Sequence, residues 1–181
     1  MTSSTETASL LAKVKSLAAG NVPIPPGTAT ALPLQSYVVR MTAKNGYLKI
    51  YFTAGPLAGS DPSSLPVKII VPSGGCIISL ELDTVSWNWE FVLTGDVSPV
   101  SLSATGEQTR YYNLATFPDP TTQKITKAQF NAIYWQAGAA GNIDHFNLFV
   151  MFDTSDGSEP LPIKIDPDIQ NPGDPTTLGG H

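Results

Sequence analysis

Apolar and polar side chains alternate along most of the chain, and the alternation is most pronounced over residues 85–93. Large apolar side chains occupy the odd positions of this segment, which are Val85, Trp87, Trp89, Phe91 and Leu93. Because successive side chains of a strand point to opposite faces, the pattern predicts a central strand of an antiparallel sheet with one aromatic, buried face. A large aromatic side chain can bury roughly 150–250 Å², so this strand is expected to form the centre of a core.

Similar alternation predicts strands along the rest of the chain. An Asn-Gly pair at residues 45 and 46 separates two β-prone segments and predicts a hairpin over residues 34–43 and 47–54. Residues 143–153 carry a second strong alternation. Residues 124–136 fit a short helix or a strand, and their β-branched and aromatic side chains favour a strand. Shorter strands are predicted at residues 67–71, 76–83, 100–104, 108–115 and 161–165.

Roughly eight to ten strands at a spacing of roughly 8–12 residues are typical of two packed sheets. We therefore predict a mainly β fold, an antiparallel β-sandwich of the jelly-roll or immunoglobulin-like type, with an N-terminal amphipathic helix on a Pro-rich strap. The predicted domain organisation is a helix arm (1–20), a Pro-rich linker (21–33), the β-sandwich domain (34–165) and an irregular tail (166–181).

The N-terminal segment, residues 3–19, has the periodicity of an amphipathic helix. Ser3 and Glu6 have capping-box spacing at its start, and Gly20 and Pro23 favour its end. Its apolar stripe consists of Leu10, Leu11, Val14, Leu17 and Ala18. An isolated helix of this length is marginal in water, so the stripe needs a partner. That partner is either the helix's own domain or a neighbouring subunit, which the extended Pro-rich segment could reach.

Composition and charge argue against several classes of partner. Of the 181 residues, 14% are charged, the formal net charge is −5, and lysines and arginines do not cluster. Nucleic acids and anionic membrane surfaces attract basic patches, so neither is an expected partner. No apolar run approaches the roughly 18–20 residues of a membrane span. Residues 1–6 do not resemble a signal peptide, so a cytoplasmic location is expected.

Candidate catalytic chemistry is sparse. Cys76 is the single cysteine, which excludes an internal disulfide, and it is expected to be small and buried. Asp144 and His145 are strand neighbours that point apart, and no GxSxG motif is present, so a hydrolase triad is not expected. The carboxylates within residues 153–159 lack EF-hand spacing. We therefore predict no catalytic residue, no metal site and no cofactor.

Aromatic side chains offer one alternative, a ligand site. The rings of Trp87, Trp89 and Phe91 could form a platform that stacks against a sugar, but the opposite face of their strand is the polar one, which favours core packing. A carbohydrate- or small-ligand-binding site, with a glycan as the partner, would use other exposed aromatics: Tyr47, Tyr51 and Trp135.

The C-terminal quarter carries a pair of short motifs. Glu159-Pro160 and Asp166-Pro167 flank the predicted strand at residues 161–165. Together with the preceding strand, this segment resembles the C-terminal end of the DP-EP family of small bacterial proteins, which have no assigned function. The resemblance implies a β-sandwich and no activity. Some relatives carry a nucleotide-synthetase label, but the chain has neither a GxxxxGK[ST] loop nor a GxGxxG motif after a strand, so the label is not adopted.

The patterns therefore predict a non-enzymatic structural protein that self-associates into a homo-oligomer through its helix arm. The predicted oligomer contacts are Leu10, Leu11, Val14 and Leu17. The ligand-binding sandwich is the second hypothesis, and an enzyme whose site leaves no sequence motif is the third.

Overall fold

The computed structural model describes residues 4–28, 30–45, 47–58, 61, 63–94, 96–103, 110–134, 142–154, 158–166 and 168–171. One helix, α1, spans Ser4–Ala18. The described strands are β1 (Asn21–Pro23), β2 (Leu34–Lys44), β3 (Tyr47–Ala54), β4 (Ile69–Ile70), β5 (Cys76–Leu82), β6 (Trp89–Phe91), β7 (Val100–Ser103), β8 (Tyr111–Pro118), β9 (Ile125–Ala132), β10 (Asn142–Phe152), β11 (Leu161–Ile165) and β12 (Asp168–Asn171).

Strand β10 organises the first sheet, which has seven strands. It pairs antiparallel with β7, β6, β11 and β12, and β1 and β4 extend the sheet beyond β7 and β12. The second sheet has five strands in the order β3-β2-β5-β9-β8. Two pairs, β2 with β5 and β4 with β12, are parallel, and the other pairs are antiparallel.

The core lies between the two sheets, and the inward positions alternate as the sequence predicts. Val39, Leu80 and Phe130 face inward from the five-stranded sheet, and Leu148 and Val150 face them from β10; all are fully buried. The predicted mainly β sandwich with an N-terminal helix is confirmed. Asn45 adopts a φ of 53°, as the tight turn of the predicted hairpin requires, and the ambiguous segment 124–136 contains strand β9.

The segment predicted as the central strand is shorter than its alternation indicated. Only Trp89–Phe91 is a strand, while Val85 and Leu93 are 85% and 55% exposed. The cause is Asp83, whose carboxylate accepts hydrogen bonds from the backbone N–H groups of Val85 and Ser86 and so turns the chain. Trp89 is nevertheless fully buried, as expected for a core residue.

Helix α1 packs on its own domain. Val14 is 2% exposed and contacts Val92, Val97 and Phe149 on the outer side of the seven-stranded sheet. The Asn21 side chain donates to the backbone oxygen of Ala18 at the end of the helix. The stripe that we predicted would dock on a neighbouring subunit therefore has a partner within the chain.

Two segments predicted to be irregular contain strands. Asn21–Pro23 lies in the predicted linker but pairs with β7, and Asp168–Asn171 lies in the predicted tail but pairs with β10 and β4. Both segments are short and lack strong alternation, so their strand conformation depends on pairing with neighbouring strands: β1 lies at the edge beside β7, and β12 lies between β10 and β4. Among the described residues, no helix has the length and apolar character of a membrane span.

We expect Val14→Asp to destabilise the fold by about 2 kcal/mol or more, because it removes a buried apolar side chain and introduces an unpaired charge. Leu11→Asp is the matched control, since Leu11 lies in the same stripe but is 36% exposed. Urea unfolding measures both. Equal midpoints for the two variants would contradict the packing of α1 on its own domain.

We expect Trp89→Ala to destabilise the fold by about 3–5 kcal/mol, the usual range for truncating a large buried side chain. The substitution also removes the hydrogen bond from Trp89 Nε1 to the backbone oxygen of Asp83, 3.1 Å long. Chemical denaturation checks this prediction, and an unchanged midpoint would show that Trp89 is not in the core.

Candidate functional site

Two connections at one end of the sandwich enclose a polar cleft of ≈ 410 Å³. One wall is the loop at residues 84–88 between β5 and β6, and the other is the turn at residues 119–124 between β8 and β9. The cleft is lined by Thr84, Val85, Ser86, Trp87, Asn88, Trp89, Asp119, Thr122, Lys124 and Thr126. It therefore combines indole, hydroxyl, amide, carboxylate and ammonium groups.

The first wall is held against both sheets by the Trp87 side chain. Trp87 Nε1 donates to the backbone oxygen of Met41 in β2, at 2.7 Å. Its ring packs against Phe152 at the end of β10, with 5.8 Å between the ring centroids. The indole is half-buried, so it fixes the loop and also presents apolar surface to the cleft.

The second wall is a turn built around Asp119. Its Oδ1 atom accepts hydrogen bonds from the backbone N–H groups of Thr121 and Thr122, at 2.9 and 2.7 Å, and from the Thr122 hydroxyl. The bonds from the Thr122 and Thr121 backbones are the main reason that the pKa of Asp119 lies below its ordinary value. None of these three bonds uses Asp119 Oδ2.

Lys124 connects the two walls. Its Nζ donates to Asn88 Oδ1 at 2.7 Å and forms an ion pair with Asp153, the residue after β10. The backbone N–H of Asp153 donates to the backbone oxygen of Asn88, at 2.8 Å. The ammonium group thus contacts residues next to two strands of the seven-stranded sheet, Asn88 before β6 and Asp153 after β10, while Lys124 itself lies in the turn before β9. Such a site can bind a polar, anionic ligand that also carries a flat ring.

Of the aromatics proposed for a ligand site, the structure describes the side chain of one, Tyr51. Tyr51 is half-buried on β3, which does not line the cleft. The side chains of Tyr47 and Trp135 lie outside the described residues. Of the predicted oligomer contacts, Leu10 and Leu17 are half-buried, and Leu17 packs against the cluster around Val14.

The remaining titratable candidates have structural partners. Asp144 is buried, accepts a 2.6 Å hydrogen bond from the Tyr111 hydroxyl and forms an ion pair with Arg110. His145 is exposed on the opposite face of the strand. Burial raises the pKa of the Cys76 thiol to about 11. Within the part of the chain that the structure describes, no group of three or more His, Cys, Asp or Glu side chains is placed to hold a metal ion.

Sequence reasoning missed Lys124, Asn88 and Asp119. The signal for Asp119 was present, since Asp-Pro-Thr-Thr at residues 119–122 is a turn sequence with an Asp at its first position. No local signal marks Lys124, because its two partners are 36 and 29 residues away in the chain.

The fold is a two-sheet β-sandwich with a polar cleft at one end. A family model described as a predicted novel nucleotide synthetase matches residues 18–174, and the chain belongs to this family. No curated protein matches the chain.

This family assignment corrects the predictions about family and function. The match covers the whole sandwich, so the assignment to the DP-EP family from the C-terminal quarter is wrong. The description of the family indicates an enzyme, so a non-enzymatic, self-assembling structural protein is also wrong, and a carbohydrate-binding module is not favoured. Rejecting the synthetase label for lack of GxxxxGK[ST] and GxGxxG was an error, because those loops belong to folds with strand-to-helix connections and their absence does not test a site on a β-sandwich.

We expect Asp119 to titrate below the ordinary Asp pKa of about 3.9. Because its pKa is lowered in the folded state, its contribution to stability is present above the unfolded pKa and is lost as the pH falls through the folded pKa. A ¹³C NMR titration of the carboxyl group, with the peptide of residues 117–126 as control, measures the shift. A folded pKa equal to that of the peptide would contradict the hydrogen bonding described for the turn.

Proposed function

We propose that the protein is an enzyme that acts on nucleotides and that it binds them in the cleft between residues 84–88 and 119–124. The description of its family supports the class of substrate. The observation that carries the location is Lys124, an ammonium group in a cleft otherwise lined by indole, hydroxyl, amide and carboxylate groups. The volume of ≈ 410 Å³ is within the range of about 300–1,000 Å³ for small-molecule sites.

Two other clefts fit a nucleotide less well. A larger one, ≈ 720 Å³, is lined in part by residues of α1, from Ser9 to Leu17, which precede the segment 18–174 that the family model matches. A site common to the family is not expected to depend on a helix outside that segment. A third, ≈ 310 Å³, has three prolines and one carboxylate in its lining and no lysine or arginine.

The groups in the proposed site correspond to the parts of a nucleotide. The indole of Trp87 offers an apolar surface against which a base can pack. The hydroxyl groups of Ser86, Thr122 and Thr126 and the amide of Asn88 can exchange hydrogen bonds with base or ribose. Lys124 is the cation for a phosphate oxygen, and its ion pair with Asp153 holds it in place.

The charge balance favours a magnesium–nucleotide complex over the free nucleotide. The protein has a net charge of −5, and the charge of Lys124 is already opposed by Asp153, with Asp119 nearby in the lining. Magnesium is commonly bound by one or two carboxylates together with substrate phosphates. Asp119, whose bonds within the turn all use Oδ1, is the carboxylate in the lining that would contact the ion.

We expect Lys124→Ala to weaken the binding of a magnesium–nucleoside triphosphate about tenfold to hundredfold, because a hydrogen bond to a charged group contributes roughly 1.5–3 kcal/mol. Isothermal titration calorimetry with the magnesium complexes of ATP, GTP, CTP and UTP measures the affinities.

The matched control is Lys127→Ala, which removes a lysine three residues away on β9 that does not line the cleft. We expect its affinities to equal those of the unmodified protein. Lys124→Arg, which keeps the charge, should retain most of the binding. Failure of all four triphosphates to bind, or equal binding by Lys124→Ala and Lys127→Ala, would refute the proposed site.

A further inference from the structure

An ion pair is buried beside the cleft. Arg40 Nη1 donates to Asp83 Oδ2 at 2.7 Å, and the two side chains are only 3% and 5% exposed. Arg40 Nε donates to the hydroxyl of Thr53, which is also buried. Arg40 on β2, Thr53 on β3 and Asp83 directly after β5 therefore form one polar cluster across three neighbouring strands.

The cluster lies on the outer face of the five-stranded sheet. Tyr37, Val39 and Met41 of β2 face the core, so the side chain of Arg40 points away from it. The segment after β3 approaches this face, since the backbone N–H of Leu57 donates to Glu81 Oε2. The charge of Arg40 also contributes, after the hydrogen bonds from Ser63, to lowering the pKa of the exposed Asp61.

Stability alone does not account for such a pair. Removing two charges from water costs about as much as their attraction returns, and well-packed apolar replacements are often as stable or more stable. Asp83, however, has a second set of contacts. Its Oδ1 accepts from the backbone N–H groups of Val85 and Ser86, its Oδ2 accepts from the Ser86 hydroxyl, and its backbone oxygen accepts from Trp89 Nε1.

We propose that Arg40 and Asp83 are positioning residues for the cleft. Arg40 holds the Asp83 carboxylate in one orientation, and that carboxylate holds the loop 84–88 in the shape that forms the first wall. The loop needs this support because its tip is exposed, as the 85% exposure of Val85 indicates. The functional part of this inference rests on the proposed nucleotide site, whereas the ordering of the loop does not.

The test uses two double variants that differ only in the acceptor offered to the loop. Arg40→Met with Asp83→Asn removes both charges but keeps a side-chain oxygen for the N–H groups of Val85 and Ser86. Arg40→Met with Asp83→Leu removes the charges and the acceptor. Urea midpoints, amide hydrogen exchange at residues 85 and 86 and the affinity for MgATP are measured for both and for the unmodified protein.

We expect the Leu variant to unfold at a urea midpoint equal to or above that of the Asn variant. We expect the amides at residues 85 and 86 to exchange at least tenfold faster in the Leu variant than in the Asn variant. We also expect the Leu variant to bind MgATP about tenfold to hundredfold more weakly than the Asn variant, since fixing the backbone of each freed residue costs roughly tenfold in affinity. If the pair served stability alone, the two variants would differ from the unmodified protein in urea midpoint but would have the same MgATP affinity and the same amide exchange as each other. That result would overturn the proposal.

A further measurement needs no variant. In the unmodified protein, the amides of Val85 and Ser86 should exchange more slowly than an unstructured peptide, although they lie in an exposed loop. Exchange at the peptide rate would overturn the proposal even if a double variant fails to fold. If MgATP does not bind the unmodified protein while the exchange results agree, the proposed function fails and the ordering of the loop by Asp83 stands.

Discussion

The pairing of β10 with four other strands is the constraint on which the rest of the structure depends. The strand is eleven residues long and its partners are shorter, so different parts of it hold β12, β7, β11 and β6. Its inward side chains, such as Leu148, form the core, and Phe149 on its outer side packs beneath α1. A single strand thus buries both faces and joins elements that are far apart in the chain.

Carboxylates near the two ends of β10 connect the two sheets. Asp144, close to its start, pairs with Arg110 just before β8, and Asp153, just after its end, pairs with Lys124 just before β9. The first pair is buried and bonded to Tyr111, so it is enclosed by its own partners. The second pair is partly exposed and borders the cleft. The ion pair near the start of β10 is therefore enclosed, whereas the ion pair after its end leaves a partly exposed ammonium group at the cleft.

In other folds, strand-to-helix loops bind phosphate groups through backbone N–H groups. In this chain the proposed site uses side chains held by turns instead. The backbone N–H groups of Thr121 and Thr122 donate to Asp119, and those of Val85 and Ser86 donate to Asp83. The acidic residues organise the walls, and in the proposed site Lys124 is the group that contacts a phosphate of the ligand.

The sequence alone determined the elements whose signals are local. The Asn45-Gly46 pair in the sequence predicted the hairpin of β2 and β3, and strand β11 lies where its alternation placed it, because turn chemistry and burial of one face act within a few residues. Only the tertiary structure decided that β2 pairs in parallel with β5, that the Trp87 segment leaves the sheet, and that Lys124 meets Asn88 and Asp153. Those features depend on groups brought together from distant parts of the chain and removed from water, and a hydrogen bond or ion pair of that kind leaves no periodic pattern in the residues that form it.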